Sequence, residues 1–163
     1  MFEKFFPDEY LGSTYKIPFE KLYEQGYRGV IFDIDNTLVP HGAPADERAK
    51  RLFQRLREIG FESCLLSNNQ KKRVEMFIQE IQTHYIYNAL KPARKNYLHA
   101  IEIMGTDQTN TLFVGDQLFT DFLLLPFYTN LRLFSIFFCS SYRNEAQSSP
   151  NTALKRSESL LLD

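Results

Sequence analysis

A chain of 163 residues with 44% apolar and 24% charged side chains has the size and make-up of one folded domain, which excludes a disordered or fibrous protein. Its formal net charge of -1 gives no electrostatic reason to expect nucleic acid as a partner. Two cysteines, Cys64 and Cys139, make no metal or disulfide spacing, and Cys64 lies in an apolar run as a small core residue of a reducing compartment would.

The start of the chain, Met1 to Pro7, lacks the apolar run of a signal peptide. Its aromatic residues Phe2, Phe5, Phe6 and Tyr10 are expected to pack on the body of the protein, with contact to a membrane surface as the alternative. Val30-Ile31-Phe32, entered from Gly29, has the compact apolar character of a buried parallel strand. From Asp46 to Ile59, residues Ala49, Leu52, Phe53, Leu56 and Ile59 recur at helical spacing, and Gly60 stops the helix. A second strand follows over Phe61 to Leu66. The spacing of Val74, Phe77, Ile78 and Ile81 predicts a second helix from about Lys71 to Ile81. Tyr85-Ile86-Tyr87 is a weaker third strand, Ala93 to Met104 a third helix ending near Gly105, and Thr111 to Val114 a fourth strand. The apolar segment Phe122 to Phe138 is interrupted by Pro126, Asn130 and Arg132 and falls short of the roughly 20 residues of a membrane-spanning helix. A cytoplasmic protein without a transmembrane segment is expected.

Strands alternating with single helices imply right-handed crossovers and an α/β fold, a three-layer doubly wound parallel sheet. Ligands of such sheets bind beyond the carboxyl ends of the strands. The polar clusters fall at those ends: Asp33 and Asp35, Ser67 and Asn68, Lys91, and Asp116. Four strands thus aim chemistry at one crevice.

That set suits phosphoryl transfer, which needs a nucleophile, neutralisation of phosphate oxygens and a proton donor for the leaving group. Asp33 is the candidate nucleophile and Asp35 the acid/base. Thr37, Ser67, Asn68 and Lys91 are candidate phosphate ligands, Lys91 as a compact positive charge whose backbone Pro92 restrains. A hard divalent cation, Mg²⁺, would hold carboxylate and phosphate together, with Asp33, Asp35 (through its carbonyl) and Asp116 as ligands. Asp121 either holds a metal-bound water or orients Lys91, or it is only a helix N-cap. His41, His84 and His99 show no ligand spacing. A calcium-binding EF-hand loop is excluded because Leu38 stands where that loop needs glycine.

The words Asp33-x-Asp35-x-Thr37, Ser67, Lys91 and Gly115-Asp116-x4-Asp121 resemble the four motifs of the haloacid dehalogenase superfamily. Pro7-Asp8-Glu9-Tyr10, Asp35-Asn36-Thr37-Leu38, Ser67-Asn68-Asn69, Lys91-Pro92 and Gly115 to Asp121 narrow the resemblance to its subclass IIIA YqeG family of phosphatases. The resemblance implies a Rossmann-like fold, Mg²⁺ and a phosphorylated substrate. Because that family is similar to phosphatidylglycerophosphate phosphatases, it also implies a membrane phospholipid as substrate and peripheral association with the inner face of the membrane. A receiver-type domain shares the fold and a lysine after a strand but leaves Asp35, Thr37 and the last motif unexplained. The gaps between Asp33, Ser67 and Lys91 have no room for a cap domain, so the site is expected to be open to a large substrate. A polynucleotide end or a phosphoprotein remains an alternative, and so does an inactive homologue that only binds.

The resemblance covers residues 1–121, expected to form the phosphatase core. From Phe122 to Asp163 the chain departs from the family: no glycine follows Gly115, and half of these residues are Leu, Ser or Phe. A frameshift near codon 122 is one reading of this atypical segment, and Ser140 to Ser149 has the composition of a disordered tail. A strand within Leu131 to Phe138 would substitute for the missing fifth strand beside Asp116.

Overall fold

The computed structural model describes the backbone of residues 9–116 and of 134–138, and the side chains of residues 12–116. Six strands form one sheet in the order β1-β6-β5-β2-β3-β4, and every pairing in it is parallel. The strands are β1 (Glu9–Leu11), β2 (Gly29–Phe32), β3 (Glu62–Leu66), β4 (His84–Ile86), β5 (Thr111–Gly115) and β6 (Phe134–Phe138). A 3-10 turn (Thr14–Lys16) and the helices α1 (Phe19–Glu24), α2 (Glu47–Ile59), α3 (Lys71–Phe77) and α4 (Arg94–Met104) connect them.

The central strand β2 is buried at every residue, which is why its sequence is continuously apolar rather than alternating. Its side chains still divide by parity between two cores. Val30 and Phe32 join Leu65, Leu112 and Val114 against Phe19, Leu52, Phe53, Leu56, Val74 and Phe77 of α1, α2 and α3. On the opposite face, Ile31 joins Cys64, Leu66 and Phe113 against Tyr97, Ala100, Ile101 and Met104 of α4. Helices on both faces of a parallel sheet make the expected three-layer α/β architecture.

Helix α2 runs as its sequence predicts. The Asp46 carboxylate caps it by accepting from the Ala49 amide at 2.8 Å, and Gly60 ends it in the left-handed region at φ 111°. Helix α3 is shorter than predicted, ending at Phe77 rather than Ile81. The Ile81 amide donates to the Ile78 carbonyl at 3.0 Å, so a tight turn carries Ile81 into the core without a further turn of α-helix. The apolar spacing is therefore satisfied by a turn that sequence periodicity does not distinguish from helix.

The short elements β1, α1 and the 3-10 turn were not anticipated. They place Thr14 and Tyr15 against the loop that follows β2. Strand β6 lies inside the segment expected to replace the missing fifth strand, and it pairs with β5 through Leu112↔Phe134 to Gly115↔Phe137. The side chains of Phe2, Phe5, Phe6 and Tyr10 lie outside the described residues, as do Cys139 and the segment 140–149.

From β2 the chain runs outward through β3 and β4, then crosses back to place β5 on the other side of β2. The reversal of direction lies between β2 and β5, and the crevice of such a sheet opens beyond the carboxyl ends of those two strands. One helix connects β2 to β3 and one connects β3 to β4, so neither of these connections holds a cap domain.

Candidate active site

Asp33 directly follows β2 and remains in the ladder, its amide donating to the Val114 carbonyl at 3.0 Å. Its carboxylate is buried and forms an ion pair with Lys91 Nζ at 2.9 Å. Two residues beyond Val114 on the neighbouring strand, Asp116 is also buried. Nucleophile candidate and distant carboxylate thus leave adjacent strands at the switch point, which is why they are 83 residues apart in sequence yet share one crevice.

Lys91 is carried on the loop after β4. That loop is held to the end of β3 by the Ala89 amide on the Ser67 carbonyl (2.9 Å), the Asn88 amide on the Asn69 carbonyl (2.8 Å) and the Lys91 amide on Asn68 Oδ1 (2.7 Å). Asn88 and Leu90 take positive φ to make the bend, and the Lys91–Pro92 peptide is cis. Asn68 therefore binds the backbone of Lys91. Ser67 is fully buried, and its Oγ accepts from the Asn69 amide (3.1 Å) and from Asn69 Nδ2 (3.0 Å).

Asp35 sits on the tight loop after β2, where the Ile34 carbonyl accepts from the Leu38 amide at 2.9 Å and Asn36 takes φ 60°. The Thr14 hydroxyl donates to the Thr37 carbonyl at 2.7 Å and Tyr15 Oη to the Leu38 carbonyl at 2.5 Å, fastening this loop from the N-terminal side. Thr37 Oγ1 is buried with no hydrogen-bond partner among the described residues.

The Asp35 carboxylate receives three donors. Oδ1 accepts from the Gly42 amide (2.9 Å) and Arg73 Nη2 (2.7 Å), and Oδ2 accepts from Asn69 Nδ2 (2.5 Å). Burial by itself would raise this carboxyl, but the Gly42 amide, Arg73 and Asn69 outweigh it and hold the group below the usual carboxylate range. His41 Nδ1 lies 3.9 Å from Asp35 on a side chain that is 79% exposed.

Arg73 and Asn69 are the residues the sequence reading did not assign. Arg73 ends the basic run Lys71-Lys72-Arg73, which looks like a solvated helix face. Its only signal was position, four residues before Phe77 and adjacent to Val74, on the side of α3 that faces the core. Asn69 was within a quoted motif without a role. Of the predicted residues, Asp33, Asp35, Thr37, Ser67, Asn68, Lys91 and Asp116 all lie at the carboxyl ends of β2, β3, β4 and β5, and Asp121 lies outside the described residues. Among the described residues no cluster of three His, Cys, Asp or Glu side chains forms a ready-made metal cage.

Residues 41–123 match the family model described as haloacid dehalogenase-like hydrolase. The chain is also 38% identical over 125 residues to the probable phosphatase YqeG of Bacillus subtilis (strain 168), covering 76% of this chain and 73% of that one. The chain belongs to the haloacid dehalogenase-like hydrolases, in the YqeG family. The family match begins after Asp33 and Asp35 and takes in Ser67, Lys91, Asp116 and Asp121. Two solved structures share the fold of this hydrolase. An uncharacterized protein from Listeria monocytogenes serotype 4b aligns with TM-score 0.54 and 14% identity over 83% of this chain and 97% of its own. A hypothetical protein from Xanthomonas campestris aligns with TM-score 0.54 and 16% identity over 78% and 72%. No helix among the described residues is long and apolar enough to cross a membrane.

Proposed function

We propose that this hydrolase is a Mg²⁺-dependent phosphatase that hydrolyses a phosphate monoester through an aspartyl-phosphate on Asp33. The observation that carries the reading is the buried Asp33–Lys91 pair at the switch point of the sheet, with Asp116 emerging from the adjacent strand. An Asp33 oxygen attacks phosphorus, the bond to the leaving alcohol oxygen breaks, and Asp35 gives that oxygen a proton. Water then attacks the phosphorus of the acyl phosphate, passes its proton to Asp35, and releases inorganic phosphate and the Asp33 carboxylate. The three donors to the Asp35 carboxylate favour its ionised form, the form that accepts the proton from water. The Ser67 hydroxyl, with its oxygen already accepting from Asn69, has its hydrogen to give to a phosphate oxygen. Thr37 Oγ1 offers another, and Lys91 offsets the phosphate charge.

The donor set fits Mg²⁺. Asp33 and Asp116 supply hard carboxylate oxygens, and a small octahedral cation needs only one or two such groups because it keeps several waters. Asp33, Asp116, the Asp35 carbonyl and, directly or through water, Asp121 would hold it. When bound, the ion would neutralise charge between carboxylate and phosphate.

The substrate we propose is a phosphate presented on something large, with phosphatidylglycerophosphate first. Two points support this: neither the β2–β3 nor the β3–β4 connection holds a cap domain, and the YqeG resemblance reaches phosphatases of that lipid. A cytoplasmic enzyme meeting the inner face of the membrane, with a core over residues 1–121 and an atypical segment over 122–163, completes the proposal. The test is phosphate release from phosphatidylglycerophosphate vesicles, a 5′-phosphorylated oligonucleotide and a phosphopeptide, each with Mg²⁺ and with excess chelator. The lipid should be the best substrate and the chelator should abolish release. Release unaffected by chelator would contradict the metal, and preference for either other substrate would contradict the lipid.

A further inference from the structure

Each of the two catalytic-motif carboxylates has a cation of its own. Lys91 takes Asp33, at 2.9 Å, and Arg73 takes Asp35, at 2.7 Å. Resting on the phosphatase reading, we propose that Arg73 is the positioning residue of Asp35, aiming its carboxyl at the leaving-group oxygen and later at the attacking water.

The three donors to Asp35 differ in how firmly they are carried. Gly42 and Asn69 belong to loops. Arg73 stands on α3, whose neighbouring residues Val74 and Phe77 are buried in the core, and its guanidinium carbon lies 6.0 Å from the centre of the Phe77 ring. The Arg73 side chain is only 14% exposed. It is therefore the donor that ties Asp35 to a packed element and not to another loop. His41 is no substitute, since it is distant at 3.9 Å and largely solvated.

The guanidinium is also underused. Nε and Nη1 of Arg73 are buried and have no hydrogen-bond partner among the described residues. Leaving such donors unfilled opposes folding. Because the group is planar, fixing Nη2 on Asp35 fixes the direction of both unfilled donors as well. A carboxyl that turns between two tasks meets further donors in the same plane, so the contact survives the turn. Lysine would match the charge without the plane.

In the transfer to Asp33, which kcat/KM reports, a residue acting only through Asp35 should matter in proportion to how much the leaving group needs a proton, whereas the later attack of water is common to all substrates. p-Nitrophenolate departs readily without one, whereas the alkoxide of glycerol phosphate does not. For Arg73→Gln, kcat/KM on glycerol phosphate should fall about 100-fold. On p-nitrophenyl phosphate it should fall less than about fivefold, with any larger loss of kcat on that ester matched by a fall in KM, since the attack of water on the aspartyl-phosphate is common to both substrates. Arg73→Lys should recover part of the loss. Binding of beryllium fluoride with Mg²⁺, which mimics the phosphoryl group on Asp33 and needs no proton, should be unchanged in both variants. If Arg73→Gln melts below the assay temperature, Arg73→Lys carries the comparison and should show the same ordering of losses. Equal loss of kcat/KM on the two substrates, loss carried by a raised KM, full activity, or loss of beryllium fluoride binding would each overturn the proposal. A wild-type protein that neither hydrolyses these esters nor binds beryllium fluoride would instead overturn the phosphatase reading beneath it.

Discussion

Replacing Lys91 by Met tests the electrostatics at the centre of the site. The Lys91 and Asp33 side chains are 3% and 8% exposed, and their charged atoms are 2.9 Å apart. At an effective dielectric of about 20, two unit charges at 2.9 Å attract by about 6 kcal/mol. Much of that only offsets desolvation, but removing one partner leaves the other as an uncompensated buried charge, which costs about 3–5 kcal/mol. With a urea slope of about 1–3 kcal/mol per molar, the midpoint should fall by roughly 2 M. The double variant Lys91→Met/Asp33→Asn removes both charges and should recover at least half of the loss, because a neutral amide then replaces the unpaired carboxylate. The measurement is equilibrium urea unfolding in chelator, so that bound cation does not replace the missing charge. A Lys91→Met protein within about 1 kcal/mol of wild type, or a double variant no more stable than the single, would refute the reasoning.

Gly60 should not tolerate a side chain. It ends α2 at φ 111°, and a Cβ there would meet Tyr23 Oη at 2.7 Å. Gly60→Ala should cost about 1–2 kcal/mol from the backbone alone, read as a lower melting temperature, and an unchanged melt would contradict the cap. Cys64 is fully buried, and burial pushes its thiol up to about 12. Raising the pH from 7 to 9 should therefore leave it unreactive toward a thiol reagent in a Cys139→Ser background, and reaction should appear only with unfolding. Rapid labelling of the native protein at pH 9 would contradict that burial.

Much of the fold was legible in the sequence. Helix α2 carried its own cap, apolar stripe and stop residue, and the apolar strands of a parallel sheet stand out because both faces are buried. The elements that escaped are short. Helix α1 has only two buried residues, Phe19 and Leu22, and depends on packing that no local pattern announces. At the site, strand-end carboxylates and Lys91 were readable because the topology of a doubly wound sheet converts strand ends into neighbours. Arg73 was not readable, since a third basic residue in a row differs from its exposed neighbours only by the face of α3 it shares with Phe77. The short end of α3 was hidden for a related reason: Ile81 reaches the core through a turn with the same apolar spacing.

The central claim is that Asp33 carries the chemistry. Its most direct test is phosphate release with Mg²⁺ from a generic phosphate monoester, comparing the wild-type chain with Asp33→Asn. Asparagine keeps the size of the side chain and removes the nucleophilic carboxylate. Loss of at least about 1,000-fold in kcat with an unchanged fold is the predicted result; equal activity in the two proteins would contradict it.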